Sequence, residues 1–488
     1  MRITGQEKIP SSKLQRNALT PARDAFHRVP NLSGKNGTRW NASLPTEVEV
    51  CSFTGAWSLV FGASVPAKLK QLAEFLALRR NTSLLLVALV LAGTGEKLWL
   101  GFAPKYIETL GGGVLVIGIF DALQTWLGAV YAYPGGWLTD HWGQRRSLLL
   151  FNLISLAGYL LVLFWQHWIA LLLGSFLFLA WSALSLPTTF SVVATSLKSH
   201  QHTMGIGVQS LVRRVPMMVG PLVGGWLVTR FGWSDGVRYA LLLCIALSAV
   251  TVGFQWFMFD VAASRQSAAV LDGNEQRRSA ETPLRISFFT VVRAFTPALR
   301  ELLVSDILIR FCERIPYAFV ILWAMNHGGL NAQQFGWLVA FEMVTAMICY
   351  IPVAHLADKY GRRPFVLVTF VFFTLFPVTL IWADNFAWLA LAFVVRGLKE
   401  FGEPARKALI IGEATPELRA RTYGAYYLIR DCVVTSGSFL GAWLWSISPQ
   451  ANFVGASVCG ALGTIWFGWK YGLKAETRGA SPQQRVET

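Results

Sequence analysis

Two stretches of this chain, 207–227 and 424–444, carry one pattern twice. The first reads Gly207, Leu211, Arg213, Gly220, Gly224, Trp226 and Leu227; the second reads Gly424, Leu428, Arg430, Gly437, Gly441, Trp443 and Leu444. Every member recurs at an offset of 217 residues (430 minus 213). A parallel repeat of that length restricts the fold to two halves of one architecture set side by side. A charged doublet returns at the same offset: Glu96-Lys97 becomes Glu313-Arg314, each followed by Phe (Phe102, Phe319) and then Gly (Gly111, Gly328) at matching distances. Ionisable groups repeated inside apolar helices are costly, and their default reading is functional.

From Leu84 nearly to the C-terminus, apolar windows follow one another, each of about 18 to 25 residues, the length that crosses about 30 Å of hydrocarbon. A mean hydropathy of +0.45 excludes an ordinary soluble globule. The expected fold is an all-α integral membrane protein of about twelve transmembrane helices in two six-helix parallel repeats. Residues 84–258 form the first half and 302–473 the second, with the fifth, sixth and tenth spans expected at 205–228, 236–258 and 386–410. Residues 1–83 read as a basic, largely disordered cytoplasmic extension with a short interfacial segment, Phe53 to Val65. Residues 259–301 read as a cytoplasmic linker and 474–488 as a cytoplasmic tail.

Lys and Arg concentrate in alternate connections: Arg145 and Arg146, Lys198, the linker, Lys359 with Arg362 and Arg363, Arg419 with Arg421, and the tail. That asymmetry predicts both termini in the cytoplasm of a cell bounded by this membrane, plasma or inner. The formal charge of +16 is then topology and anionic-lipid contact, not nucleic-acid binding. The six cysteines have no paired spacing, and His200 and His202 form a solvated pair, so no metal and no cofactor is expected. No nucleophile, base and oxyanion combination is present, so the chain is not expected to be an enzyme.

Gly136-Trp-Leu-Thr-Asp140-His-Trp-Gly143-Gln-Arg145-Arg146 resembles the loop that marks the major facilitator superfamily, and Ala354-His-Leu-Ala-Asp358-Lys-Tyr-Gly361-Arg362-Arg363 resembles its second-half echo. The first copy departs at His141 and Gln144, where the family usually has cations, and the second at Ala354. The resemblance implies the major facilitator fold and a conformational latch at Gly136, Asp140, Gly143, Arg145, Asp358, Gly361 and Arg362. An Asp at a helix end can bond a neighbouring helix N-terminus in one state and release it in another. Gly220-Pro221-Leu-Val-Gly224-Gly225 is similar to an element found in antiporters of the superfamily; small residues there also let helices pack closely. Arg396-Gly-Leu-Lys399 resembles an intramembrane Arg motif, here in the tenth helix instead of the fourth.

Within the expected spans stand eight cations, Lys97, Arg213, Arg214, Arg310, Arg314, Arg396, Lys399 and Arg430, and eight acids, Glu96, Asp121, Asp306, Glu313, Glu342, Glu400, Glu403 and Asp431. Lipid exposure at roughly 2.5–3.5 kcal/mol each would total about 40 kcal/mol, so they must face inward and pair. Spacing of four pairs Asp306 with Arg310, Arg396 with Glu400 and Lys399 with Glu403. Candidate substrate and proton-coupling residues are Glu96, Lys97, Arg213, Arg214, Arg310, Glu313, Arg314, Arg396, Glu403, Arg430 and Asp431. For Asp306, Glu342 and Lys399 a structural lattice stands level with a functional role.

The expected function is secondary active transport of a small polar or charged solute by alternating access, coupled to protons through Glu96 or Glu313, in a monomer whose partners are that solute, protons and the bilayer. Eight cations against eight acids leave the sign of the substrate open. The alternatives are a non-transporting sensor or scaffold on the same fold, and a proton-antiporting drug exporter.

Overall fold

The computed structural model describes residues 80–185, 189, 212–257, 288–413 and 419–472. The first half opens with α1 (Arg80–Trp99), a 3-10 turn at Leu100–Phe102 and α2 (Ala103–Thr109). It continues through α3 (Val114–Trp142), α4 (Gln144–Phe164), α5 (Trp168–Phe178) and α6 (Arg214–Trp256). In the second half α7 (Phe288–Arg293) leads to α8 (Pro297–Tyr317) and α9 (Val320–Asn326). There follow α10 (Ala332–Tyr360), α11 (Arg362–Ile381), α12 (Phe386–Leu398), α13 (Glu403–Gly412), α14 (Arg419–Ile447) and α15 (Pro449–Phe467). Every regular element among the described residues is helical.

The 217-residue repeat is visible in the backbone. α2 and α9 begin at Ala103 and Val320 and end at Thr109 and Asn326, each pair 217 apart, so the first and seventh spans break at equivalent points. Of the expected fifth and sixth spans, residues 214–228 and 236–256 lie in α6, which turns at Gly232, where φ is 82°. The expected tenth span, 386–410, is two helices, α12 and α13, with a break between Leu398 and Glu403. Gly402 sits in that break against the Phe365 carbonyl, where a side chain would collide. Gly207, Leu211, His200, His202, the patch 53–65, most of the linker and the tail lie outside the described residues.

Polar caps start several helices. The Thr296 hydroxyl accepts from the Leu299 amide at 3.1 Å before Pro297, and Ser448 does the same for Ala451 at 3.0 Å before Pro449. Asn331 and Gln334 form a reciprocal capping box at the start of α10. α3 and α10 both end on glycines of positive φ, Gly143 at 84° and Gly361 at 90°, a backbone that β-carbons resist. These turns define a basic end of the bundle; the connections at Gly111, Gly232 and Gly329 define the distal end.

Among the described residues, seven helical segments are long and apolar enough to cross a membrane, and the bundle's outer surface carries exposed tryptophans near both ends: Trp142, Trp256 and Trp469 at the basic end, Trp165, Trp382 and Trp388 at the distal end. Such rings favour membrane interfaces. Close packing inside the halves depends on the repeated glycines. A β-carbon on Gly220 would meet that of Lys97 at 2.5 Å; Gly224 lies against the Leu98 carbonyl, and its counterpart Gly441 against that of Ile315. Two long helix pairs join the halves, and α2 also meets α9, where Lys105 donates to Asn326 and Asn326 to Glu108. α6 meets α10 where Gly225 abuts the Ala332 carbonyl and Gly336 that of Pro221; α3 meets α14 where Gly118 abuts Ala442.

Candidate functional site

Both charged doublets stand just before the breaks in the first and seventh spans. Glu96 is buried and accepts from Lys97 Nζ at 2.9 Å. Lys97 keeps 32% of its side chain exposed. Arg213, at the start of α6, lies within electrostatic reach of Glu96 and Lys97. Gly220 and Gly224, seven and eleven residues on, fall on the same helix face as Arg213, the face turned to α1.

The second doublet is arranged differently. Glu313 accepts from Arg310 at 2.6 Å and from Lys399 at 2.8 Å, and no bond joins it to Arg314. Arg314 reaches into the first half instead. It pairs with Asp121 Oδ1 at 3.1 Å, donates to the Asp121 carbonyl at 2.7 Å and touches Ser438 at 3.3 Å, while the Ser438 hydroxyl donates to Asp121 Oδ2 at 2.6 Å. Tyr317, at the end of α8, is 42% exposed and lies under two guanidinium groups, Arg314 at 4.8 Å and Arg396 at 5.5 Å from its ring centre.

Around Glu313 the second half builds one continuous chain of alternating charge. Asp431 accepts from Arg430 at 2.7 Å, and Arg430 reaches Asp306 at 3.4 Å. Asp306, 0% exposed, also takes Arg406 and the Tyr426 hydroxyl, the latter at 3.2 Å. Arg406, 2% exposed, holds Glu403 at 2.5 Å, and Glu403 meets Arg310 at 3.5 Å. From Glu313 the chain passes through Lys399 to Glu342 at 3.5 Å and ends on Arg396 at 3.2 Å. Five acids and five cations from α8, α10, α12, α13, α14 and the break after α12 thus neutralise one another inside the bundle, and the exposed Lys407 reaches Glu403 from outside at 3.4 Å. Burial makes such pairs costly to break one-sidedly.

None of the three pairs expected from spacing forms. Asp306 bonds Arg406 and Arg430 instead of Arg310; Arg396 bonds Glu342 instead of Glu400; Lys399 bonds Glu313 and Glu342 instead of Glu403. The break after Leu398 takes Lys399, Glu400 and Glu403 off a common helix face, so four-residue spacing no longer stacks them. Glu400 instead crosses to the first half and accepts from Arg214 at 3.0 Å. Arg406 is absent from the eight expected cations, although its place within 386–410 is signal enough. With it the described interior no longer balances eight against eight.

Of the latch residues, Gly136 lies in α3, Gly143 and Gly361 form the turns, Arg145 lies over the Trp256 ring at 5.1 Å, and Arg362 opens α11 at an exposed position. The side chains of Asp140 and Asp358 lie outside the described residues. Among the described residues no group of His, Cys, Asp and Glu could hold a metal ion.

The family described as Major Facilitator Superfamily matches residues 85–325 and again residues 302–487. Multidrug resistance protein MdtG of Enterobacter lignolyticus (strain SCF1) is 24% identical over 438 residues, covering 84% of this chain and 96% of its own length. Among solved structures, a POT family transporter in complex with a thioalcohol-conjugated peptide superposes with a TM-score of 0.64 at 12% identity, over 80% of this chain and 95% of that one. A point mutant of the nucleoside transporter NupG superposes with a TM-score of 0.63 at 13% identity, over 79% of this chain and 98% of that one.

Proposed function

Because the chain belongs to the major facilitator superfamily, and so is an integral membrane transporter and not an enzyme, we propose that it carries a small polar or charged solute by alternating access, driven by protons. The carrying observation is a pair of ion pairs that cross between the halves at different depths. Asp121 lies about 10 Å below the distal end of α3, at 1.5 Å per residue. Arg214 and Glu400 lie about 20–27 Å from that end along α6 and α12, and Lys97 lies about 18 Å below the end of α2, between the two pairs.

Rocking that opens the distal end separates Asp121 from Arg314; rocking that opens the basic end separates Arg214 from Glu400. A buried carboxylate that loses its cation takes up a proton more readily. Glu96 and Glu313, the coupling candidates from sequence, have their cations within their own halves and keep them through a rigid-body motion. We therefore assign proton coupling to Asp121 first, and let Glu96, Lys97, Arg213, Arg314 and Arg396 frame the solute site. Arg310, Glu313, Glu403, Arg430 and Asp431 hold the second half together. The basic end, with the latch of Asp140 and Asp358, faces the cytoplasm on the positive-inside rule.

A second alternative, export of drugs, rests on the relatives named for multidrug resistance and on the Gly220–Gly225 element. In proteoliposomes, with a solute selected by thermal shift, Asp121→Asn should keep solute exchange and lose accumulation driven by a pH gradient. Wild-type accumulation in that variant would remove the coupling assignment.

A further inference from the structure

Among the described residues, every ionic group inside the bundle has an opposite charge within ion-pair distance except one. The ten-member chain of the second half is neutral, as are Asp121 with Arg314, Arg214 with Glu400, and Glu96 with Lys97. Arg213 is left over. Among the described residues the acid that acts on it is Glu96, across the face where Gly220 packs on Lys97, and Glu96 already holds Lys97 at 2.9 Å, so this cluster presents two cations against one carboxylate. The stretch 186–211 that leads into α6 contains no acidic residue. Its repeat partner Arg430 is instead neutralised by Asp306 and Asp431, and Arg214 occupies the position equivalent to Asp431.

An uncompensated guanidinium in a low-dielectric bundle is costly unless a counter-charge arrives. Lys97 beside it is partly open and lies within electrostatic reach of Tyr317, which belongs to the opposite half, so the basic cluster faces the seam between the moving halves. We propose that the transported solute is an organic anion, its carboxylate or phosphonate head held by Arg213 in a two-pronged bond and by Lys97 as a second cation. This rests on the transport function proposed above and names its substrate class. Neutralising the cluster by the solute also lets the loaded site move through the membrane without an exposed charge.

The test uses the purified full-length chain in detergent at constant ionic strength. A thermal-shift library pairs each carboxylate or phosphonate with its neutral amide or ester, benzoate with benzamide and phenylphosphonate with its diethyl ester among them. Acid members should raise the melting temperature by several degrees where their neutral twins do not. That shift should vanish in Arg213→Gln and persist, weakened about tenfold in apparent affinity, in Arg213→Lys. Without ligand, Arg213→Gln should melt at or above the wild type. A clear drop in its melting temperature, shifts from neutral or cationic members that survive the substitution, or no acid-specific shift in the library would each overturn the proposal. Binding is read without a membrane or gradient. Failed transport with intact anion binding therefore counts against alternating access alone, and intact transport of an uncharged solute against the anion alone.

Discussion

The two halves share a backbone plan but not a charge plan. Both break their leading span at the same repeat position, and both seat a glycine, Gly224 or Gly441, against a carbonyl of that span. Yet the residues 217 before Asp306 and Arg310 are Leu89 and Gly93, and the residue 217 before Asp431 is Arg214. The second half therefore carries a ten-member ionic lattice where the first carries one doublet and a leftover arginine. Packing pattern and fold belong to the repeat; the charges belong to what each half does. A half cross-braced through six elements moves as one body, whereas the first half sets Arg213 and Lys97 beside the single acid Glu96, a cluster that can respond to a ligand.

The largest effect should come from cutting the lattice at its centre. Arg406→Gln leaves Asp306 and Glu403 each short of a buried cation and should cost about 3–5 kcal/mol, seen as loss of folded, monodisperse protein. Asp306→Asn on the same background should recover part of it. No single charge removal in the first half should match this loss.

Next come the glycines, where the halves should behave alike. Gly224→Ala and Gly441→Ala each force a methyl against a carbonyl of the leading span and should each cost about 1–3 kcal/mol. Similar drops in melting temperature would support the shared packing plan; a drop in one half only would break it.

The smallest stability effect belongs to the latch. Asp140→Asn should leave melting temperature and solute affinity near wild type while slowing transport, because it removes a switchable helix-end contact and no binding group. An unchanged transport rate in proteoliposomes would sink the latch role.

Fold and family were legible because they rest on periodic features: apolar window length, the 217-residue repeat and the two Gly143 and Gly361 loops. Among the described residues, seven helical segments are apolar and long enough to span by themselves. The charged seventh, eighth, tenth and eleventh spans are legible as apolar windows of spanning length, and the repeat sets them in register with the first half. Ion partners were not legible. Spacing of four finds neighbours on one unbroken helix, whereas Asp306 meets Arg406 and Glu313 meets Lys399 across helices far apart in sequence. The break at Lys399–Gly402 has no spacing rule that announces it. Asp121 was visible as an intramembrane acid, but its partner Arg314 lies in the other half, and only the packing of α3 on α14 and α8 brings them together.

The most direct test of the asymmetry is a paired measurement on the repeated glutamates. Glu313→Gln takes the nearer acid from both Arg310 and Lys399, leaving each only its 3.5 Å contact to Glu403 or Glu342, and should lower the melting temperature by several degrees, equivalent to about 3 kcal/mol. Glu96→Gln removes the one acid shared by Lys97 and Arg213, but because Lys97 is partly open to solvent the drop should be smaller, about 1–2 kcal/mol. Equal drops in the two variants, or a larger one for Glu96→Gln, would contradict the division of the transporter into a braced half and a responsive half.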